Sequence, residues 1–259
     1  MSLMIGALPS LRHLHDILCE PANHPPGGRC VAEKGLWYAG HPIPLAQFNV
    51  VRRAARPALG WAPQVESVVA ALGEAPIRWD VTAPDRELEA ALVRAGFSVG
   101  YTTETLWRRV APPVAADPAF EVRAVTSLRE AVAWHRVFCA TRGHRVGAGA
   151  GAPWALLLDS PDHQLYVVCH GGVPCAVGAL MLDRARGAGF LWGGGTLPAW
   201  RTRGAYRALL RARLLEAARV GVAWVAVRAA VHSSAPILTR LGFASVGERV
   251  AEWERPGTG

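Results

Sequence analysis

An apolar segment, a short basic loop and a long amphipathic segment follow one another in the last third of the chain. Residues 189–192 (Gly-Phe-Leu-Trp) predict a buried strand, and leucines and alanines at helical spacing predict a helix from Gly204 to about Val220. The charged residues of this helix, Arg213 among them, are expected mostly to face water. The helix amino terminus would direct unpaired backbone N–H groups and the positive end of its dipole at one point, which suits a phosphate. Arg201 and Arg203 would add charge-assisted donors beside it.

The loop lacks two common phosphate motifs, the Gly-x-x-x-x-Gly-Lys-Ser/Thr of nucleoside triphosphate sites and the Gly-x-Gly-x-x-Gly of dinucleotide sites. Residues 201–206 (Arg-Thr-Arg-Gly-Ala-Tyr) instead resemble the pyrophosphate loop Arg/Gln-x-x-Gly-x-Gly/Ala of the GNAT N-acetyltransferase superfamily, and Pro198 matches that family's usual proline. Residues 232–243 resemble the family's closing helix with its Leu-Gly-Phe ending, and the resemblance extends over about residues 119–255. Tyr206 departs from the pattern, because glycine or alanine is usual there; its side chain would crowd the phosphates or line the acyl pocket.

This resemblance implies a GNAT-like α/β (α+β) fold, in which helices flank a mixed, mostly antiparallel central sheet. It also implies acetyl-coenzyme A as co-substrate, with its pyrophosphate on the loop and its pantetheine arm on free backbone groups of the preceding strand. The glycines at 193–195 favour such a contact because they permit a bulge and close approach of a ligand, unless they merely relieve packing beside Trp192. The expected coenzyme contacts are Gly195, Thr196, Leu197, Arg201, Thr202, Arg203, Gly204, Ala205, Tyr206, Arg207, His232 and Ser234.

The reaction that the resemblance implies is attack of a free amine on the thioester, with a backbone N–H near Thr196 as the oxyanion donor. The proton donor is less evident, because Leu238 stands where the family often has a tyrosine and residues 190–196 are uncharged. His232 is the best internal proton donor or relay by its titration range, with an exposed loop or cap histidine as the alternative. Tyr206 could replace the missing tyrosine, although packing on the phosphate side is the favoured interpretation.

The predicted function is an acetyl-coenzyme A-dependent N-acetyltransferase that acetylates a primary amine of a small molecule or peptide. Two alternatives stay open: a non-catalytic acyl-coenzyme A-binding protein, which Leu238 and the uncharged strand favour, and a transferase that uses a longer acyl group. The acceptor is not indicated, because Glu104, Asp159 and Asp162 reach the cleft only if folding brings them there. A monomer and a homodimer are both compatible with the sequence.

A match at a constant offset of 146 residues indicates an internal repeat. Residues 92–97 (Leu-Val-Arg-Ala-Gly-Phe) correspond to residues 238–243 (Leu-Thr-Arg-Leu-Gly-Phe), and Trp107 corresponds to Trp253. A gapless offset through a strand, a helix and a further strand favours two copies of one architecture.

We therefore predict a degenerate GNAT-like domain at 1–110, a proline- and alanine-rich linker at 111–118 and a coenzyme-binding domain at 119–259. The first copy would lack the phosphate loop. Residues 55–60 (Ala-Arg-Pro-Ala-Leu-Gly) correspond to that loop, and Pro57 has no N–H group to offer a phosphate. A structural role, such as covering a sheet edge and walling the substrate cleft, is expected for this copy.

Composition excludes several other functions. The formal net charge is +8, but the arginines that carry it are spread along the chain, which argues against nucleic-acid binding. No apolar run is long enough to span a bilayer and no signal-peptide pattern occurs, so we expect a cytoplasmic protein without a membrane partner. The five scattered cysteines form no Cys-x-x-Cys pair, which predicts free thiols and no metal site. His135, His144 and His163 are expected at the surface.

The remaining segments predict a series of shorter elements. Helices are predicted at 8–19, 65–72, 86–95, 127–141 and 154–158. Strands are predicted at 48–51, 77–81, 98–110, 120–123, 165–169, 175–182 and 222–227. Ser127 and Glu130 form a capping box. The glycine-rich residues 143–151 predict either a mobile lid over the acceptor site or a plain surface loop.

Overall fold

The computed structural model describes residues 24, 27–33, 35–43, 46, 48–111, 119–143 and 152–257. Within these ranges the chain forms eleven β-strands and six α-helices. The strands are β1 (Arg29–Glu33), β2 (Leu36–Gly40), β3 (Val50–Ala54), β4 (Ile77–Val81), β5 (Ser98–Arg109), β6 (Glu121–Ala124), β7 (His163–His170), β8 (Val173–Asp183), β9 (Ala188–Thr196), β10 (Trp224–Ala230) and β11 (Ala244–Arg255). The helices are α1 (Trp61–Leu72), α2 (Arg86–Arg94), α3 (Leu128–Arg142), α4 (Ala152–Leu158), α5 (Ala205–Arg219) and α6 (Ser234–Arg240).

All eleven strands form one sheet, in the order β1-β2-β3-β4-β11-β5-β10-β9-β8-β7-β6. Neighbouring strands are antiparallel except for two parallel pairs, β3 with β4 and β9 with β10. The predicted fold class, a mixed and mostly antiparallel sheet flanked by helices, is confirmed. No helix in the described ranges is long and apolar enough to cross a bilayer.

Two long strands in the middle of the sheet connect the parts of the chain before and after the linker. β5, from before the linker, pairs with β10, whereas β11, the last strand, pairs with β4. β5 and β11 also pair with each other. Each follows one of the two segments that match at an offset of 146 residues. The structure thus shows an exchange of strands, while the division into a degenerate and a coenzyme-binding copy stays a prediction.

The helices cover both faces of the sheet, and β7 shows how the two faces differ. Tyr166 and Val168 pack in a cluster with α5 and α6, whereas Leu165 and Val167 pack with α3 and α4. Alternate residues of a strand point to opposite faces, so these two helix pairs lie on opposite sides. A third cluster, beneath α1 and α2, contains the fully buried Trp79.

A group of buried charges crosses the exchanged strands. Asp80 on β4 pairs with Arg78 (Nε to Oδ1, 3.0 Å) and with Arg228 on β10. Glu252 on β11 pairs with Arg78 at 3.5 Å and accepts a hydrogen bond from Thr103 of β5 at 3.0 Å. Burial would raise the pKa of Asp80, but the guanidinium groups of Arg228 and Arg78 outweigh burial and hold that pKa below its usual range.

Three expectations about side-chain exposure are wrong. Arg213 is only 1% exposed, because Gly178 on β8 leaves space for its guanidinium against the sheet. His135 is buried against Trp154, and its pKa is lowered by this burial. His163 is buried at the start of β7.

Most predicted elements are present with bounds shifted by a few residues. Helix α1 begins at Trp61 instead of Val65, and the strand predicted at 48–51 begins at Val50. Residues 29–40 form two strands, β1 and β2, that the sequence did not indicate. The helix predicted at 8–19 lies outside the described residues, as do residues 144–151 of the predicted lid.

Candidate active site

The sheet opens into a wedge between β9 and β10. These parallel strands pair only where residues 188–191 meet residues 224–227. Beyond Leu191, β9 continues to Thr196 paired with β8 alone, so the edge of its last five residues that faces β10 is free of strand pairing. The strands therefore diverge, and backbone groups of β9 face the opening.

The glycine segment 193–195 lies along this wedge. The register between β8 and β9 shifts here, and Gly193 has a φ of +63°, which favours glycine. A Cβ added at Gly193 would stand 3.1 Å from Trp134, and one at Gly195 would stand 2.3 Å from Thr141 Oγ1. The predicted bulge is present, and the glycines also allow two residues of α3 to pack closely on the strand.

Thr196 presents its backbone to the wedge. The N–H of Leu197 donates to Cys175 O of β8 at 2.9 Å, so alternation along the strand directs the N–H of Thr196 away from β8. Arg201 Nε donates to Thr196 O at 3.2 Å. The Thr196 hydroxyl is buried without a hydrogen-bond partner among the described residues. The structure thus brings two of the predicted site residues, Thr196 and Arg201, into contact.

The loop after β9 ends in an uncapped helix. A short 3₁₀ turn at Pro198–Trp200 leads to Thr202, with a φ of +64°, and to Gly204, with a φ of +100° at the N-cap of α5. No side chain caps this helix. The backbone N–H groups of residues 202–206 donate no hydrogen bond to the described part of the chain. These donors and the positive end of the helix suit an anion.

Three arginines surround this helix end. The side chains of Arg201, Arg203 and Arg207 are exposed, and the guanidinium of Arg203 lies 5.5 Å from the ring centre of Trp200. Their positive charge and the free N–H groups match the needs of a diphosphate. The donor set therefore fits the pyrophosphate group that the sequence predicts here.

Tyr206 turns towards the sheet, on the face covered by α5. Its ring lies against β9, where a Cβ added at Gly194 would stand 3.3 Å from Tyr206 Cε2. The residue is half-buried against the cluster that contains Leu209 and Leu238. The ring thus lies beside β9, and whether it contacts the phosphates or the acyl pocket stays a prediction.

The residues predicted on the closing helix lie on the other side of the wedge. His232 is exposed in the turn after β10, and in the described part of the chain it is not hydrogen-bonded to the loop or to Thr196. Ser234 Oγ accepts from the N–H of Ala230 at 2.9 Å. Ser233 occupies the N-cap of α6, and its side chain makes no cap hydrogen bond.

Two further residues at the wedge, Arg142 and Arg213, were not indicated by the sequence. Arg142 at the end of α3 donates to Thr141 Oγ1 at 3.2 Å and to Gly194 O at 3.4 Å, and its guanidinium lies 3.8 Å from the ring centre of Phe138. Burial lowers the pKa of Arg142. Arg213 reaches the same part of β9 from α5. Each is one of several charged residues on its helix, and only the packing of the two helices on β9 reveals that it lies at the wedge.

No group of three or more histidine, cysteine, aspartate or glutamate side chains is arranged to hold a metal within the described ranges. The four described cysteines, Cys30, Cys139, Cys169 and Cys175, are free thiols. Burial raises the pKa of Cys175 to about 11, so this thiol is protonated at neutral pH.

Comparison with known structures identifies the fold. A GCN5-related N-acetyltransferase from Kribbella flavida is 18% identical over 88% of this chain and 90% of that chain, with a TM-score of 0.57. The fold is GNAT-like. A functionally unknown conserved protein from Staphylococcus epidermidis is 11% identical over 89% of this chain and 94% of its own, with a TM-score of 0.64. A tandem GNAT protein from the clavulanic acid biosynthesis pathway is 15% identical over 89% of this chain and 83% of its own, with a TM-score of 0.54.

The sequence matches no protein-family model and no curated protein. At identities of 11–18% these similarities establish the GNAT-like fold and not the reaction. They cover the chain on both sides of the linker, and one of the similar structures is itself a tandem GNAT protein.

Proposed function

We propose that this protein is an acyl-coenzyme A-dependent acyltransferase that moves an acetyl group to a primary amine of a small molecule or peptide. One observation carries the proposal. The wedge between β9 and β10 ends at a helix amino terminus with free N–H groups and three exposed arginines. An extended ligand with a diphosphate at one end fits this combination, and the GNAT-like fold supports it.

The chain's own residues would bind and orient the ligands. Residues 201–207 would hold the pyrophosphate, Thr196 would contact the pantetheine arm through its backbone, and Gly195, which has no side chain, would lie beside the arm. The N–H of Leu197 is already used by Cys175, so Leu197 would contribute through its other groups. His232 and Ser234 would bind from the opposite side of the wedge. When bound, the coenzyme supplies an acyl group activated as a thioester.

Thr196 would provide the oxyanion donor, because its N–H faces the wedge. One such backbone donor contributes about 3 kcal/mol to catalysis in other acyl-transfer sites. Holding the amine beside the thioester would supply much of the remaining acceleration. His232 is the proposed proton donor or relay from the mouth of the wedge, where it is exposed.

The region before the linker would not bind a coenzyme. At the amino terminus of α1, the side chain of Glu87 accepts a hydrogen bond from the N–H of Trp61 at 3.2 Å and pairs with Arg56. A carboxylate thus takes the place that a phosphate takes at a free helix terminus. This supports the division into a degenerate domain at 1–110 and a coenzyme-binding domain at 119–259.

Calorimetric titration with coenzyme A and acetyl-coenzyme A tests the proposal. Gly204→Asp places a carboxylate at the amino terminus of α5 and should weaken affinity at least about tenfold, or 1.4 kcal/mol. Gly221→Asp adds the same charge at the far end of α5, also at a positive φ (+78°), and should leave affinity unchanged. Equal affinity of the Gly204→Asp variant and the wild type would refute the proposed site.

A non-catalytic acyl-coenzyme A-binding protein is the second candidate. Leu238, at the position where a tyrosine is common in this fold family, is fully buried and has no proton to donate. Thiol release from acetyl-coenzyme A in the presence of an amine panel separates the two functions. Release that depends on the amine supports the transferase, and tight binding without release supports the binding protein. A series of acyl chain lengths tests the use of longer acyl groups.

A further inference from the structure

Three arginine side chains meet the last residues of β9, and they come from both faces of the sheet. From one face, Arg142 of α3 donates to Gly194 O at 3.4 Å. From the other face, Arg213 of α5 reaches the same residue, since a Cβ added at Gly194 would stand 3.9 Å from its Nη1 and Nη2. Arg201 donates to Thr196 O at 3.2 Å. The part of β9 that lines the wedge is therefore surrounded by positive charge.

The charge of Arg213 has no carboxylate partner in the part of the chain that the structure describes. The residue is only 1% exposed, and its Nε and Nη2 are buried without a hydrogen-bond partner there, whereas Nη1 donates to Ala179 O at 3.3 Å. Burial lowers the pKa of Arg213, and the hydroxyl groups of Tyr206 and Tyr166 oppose that shift. Arginine nevertheless keeps its proton in proteins, so a full positive charge stands behind the wedge.

The guanidinium of Arg142 is held in place by long contacts and keeps unused donors. It lies 3.8 Å from the ring centre of Phe138, and it donates to Thr141 Oγ1 at 3.2 Å and to Phe138 O at 3.5 Å. Among the described residues, Nε has no acceptor, and Nη2 has only the Gly194 carbonyl. A guanidinium with free N–H groups on two nitrogens can bind a carboxylate with two hydrogen bonds.

Acidic groups act on Arg142 only from a distance. Burial lowers the pKa of Arg142, while Tyr101 on β5 and Glu254 and Glu252 on β11 oppose that shift. In the described ranges none of these groups forms an ion pair or a hydrogen bond with Arg142, and Glu252 pairs with Arg78 instead. The position beside Arg142 is therefore open to a carboxylate from outside the chain.

The coenzyme would leave this position to the second substrate. Its charged groups would lie at the amino terminus of α5, and its pantetheine arm has no charge. Helices α3 and α5 cover opposite faces of the sheet, so Arg142 is on the face away from the phosphate loop. Gly194 precedes Thr196 by two residues, about 7 Å along a strand. A group attached to an amine that attacks beside the Thr196 N–H is thus within reach of Arg142.

We propose that Arg142 binds a carboxylate of the acceptor, and that the acceptor is an amine with a carboxylate beside its nucleophilic nitrogen, as in an α-amino acid. This assignment rests on the proposed function and names its acceptor class. Arg213 does not touch the acceptor and adds positive potential from behind the strand. The same charges disfavour a polyamine, because cations brought close to three guanidinium groups are repelled.

Two coenzyme A adducts that differ in charge test the site without requiring turnover. Alkylation of the thiol with N-bromoacetylglycine places a carboxylate where an amino acid acceptor would carry it, and N-bromoacetylglycinamide gives the neutral counterpart. In the wild type, calorimetry should give a Kd at least about tenfold lower for the acid than for the amide. Arg142→Met should bring the two Kd values within about twofold. Arg142→Lys should retain part of the difference, because lysine keeps the charge but not the planar fork.

The ratio of the two Kd values cancels any general effect of a substitution on folding or on coenzyme binding. Arg136→Met is the matched control, because Arg136 is an exposed arginine of the same helix and should leave the ratio at the wild-type value. Arg213→Met should lower the ratio by about threefold through the lost potential. Arg213→Lys, which keeps the charge, should lower it less and replaces Arg213→Met if that variant does not fold.

Turnover provides a second measurement. With acetyl-coenzyme A, thiol release should be faster with L-amino acids than with their amides, their decarboxylated amines or spermidine. Arg142→Met should reduce kcat/KM for the amino acids by about tenfold, mainly through KM, and should leave kcat/KM for the amides within about twofold.

Three results would overturn the assignment. Equal Kd values for the two adducts in the wild type, with coenzyme A still bound, would exclude a carboxylate site and leave the proposed function intact. A tenfold preference for the acid that persists in Arg142→Met would exclude Arg142 as its ligand. Failure of the wild type to bind coenzyme A would overturn both this assignment and the proposed function.

Discussion

The glycines at 193–195 face side chains from both sides of the sheet. Trp134 and Thr141 of α3 approach Gly193 and Gly195 from one face, and Tyr206 of α5 approaches Gly194 from the other. Helices this close to β9 leave no room for a Cβ at Gly195.

Gly195→Ala should therefore both destabilise the protein and weaken coenzyme binding. The added Cβ would stand 2.3 Å from Thr141 Oγ1 and 2.8 Å from Thr141 Cβ, which forces α3 or β9 to move. We expect a loss of about 1–3 kcal/mol in the free energy of unfolding and about tenfold in affinity for coenzyme A. Urea unfolding and calorimetry measure the two effects.

Gly189→Ala is the matched control on the same strand. Its Cβ would meet Val225 at 3.1 Å and Leu180 at 3.2 Å, before β9 leaves β10. This change should lower stability without altering coenzyme affinity. Equal affinity losses in the two variants would show that the wedge is not the coenzyme site.

Helix α3 connects the outer part of the sheet with the wedge. It begins at a capping box in which Ser127 Oγ accepts from the N–H of Glu130 at 3.3 Å, and the Glu130 side chain accepts from the N–H of Ser127 at 3.2 Å. It ends with Thr141 and Arg142 against β9. The cap sets the residue at which the helix begins. The helix then places Thr141 and Arg142, at its other end, against the glycine segment.

Removing this cap should have a measurable cost. Ser127→Ala should lower the free energy of unfolding by about 1 kcal/mol. The N–H of Glu130 would lose its side-chain acceptor, and the Glu130 side chain would no longer be held over the N–H of residue 127. Ser233→Ala, at the N-cap of α6, removes a hydroxyl that makes no cap bond and should change stability by less than about 0.5 kcal/mol. Equal effects in urea unfolding would contradict this account of α3.

Local sequence signals predicted the elements that carry the site, but not the contacts between them. The strand, the arginine-rich turn and the helix at 189–220 follow from periodicity and from Gly204, and all three are present. The burial of Arg213 was missed because a charged residue on an amphipathic helix is normally solvated, and the space left by Gly178 comes from another strand. β1 and β2 were missed because they are short segments with weak alternation, stabilised by pairing with each other and with β3.

Over the whole molecule, the exchange of β5 and β11 joins the chain before and after the linker into one sheet. The offset of 146 residues indicated related segments but not that their strands pair across the two parts, because strand pairing over such separations has no local sequence signal. Asp80, Arg228 and Glu252 lie along this junction. We expect both parts of the chain to unfold in a single transition. β5, from before the linker, is paired with β10 and β11, and β11 is paired with β4, so each part would lose strand partners if the other unfolded.

Asp80→Asn tests this junction through stability and its pH dependence. Removing one partner of a buried ion pair leaves Arg228 and Arg78 without their shared carboxylate, which should cost about 3–5 kcal/mol in the free energy of unfolding. Because the pKa of Asp80 is lower in the folded than in the unfolded chain, the unfolded chain binds more protons between those two values. The stabilisation is complete above the unfolded pKa of about 3.9 and is lost as the pH falls through the folded pKa.

Urea unfolding at pH 7, 5, 4 and 3, followed by tryptophan fluorescence and circular dichroism, measures this effect. The wild type should lose more stability than Asp80→Asn on acidification, and the two signals should change together in both proteins. Asp162→Asn is the control, because Asp162 pairs with Arg184 at 2.7 Å on the surface, where such a pair contributes at most about 1 kcal/mol. If Asp80→Asn lowered stability no more than Asp162→Asn did, or if the two signals separated, the buried charges could not be what couples the two parts of the sheet.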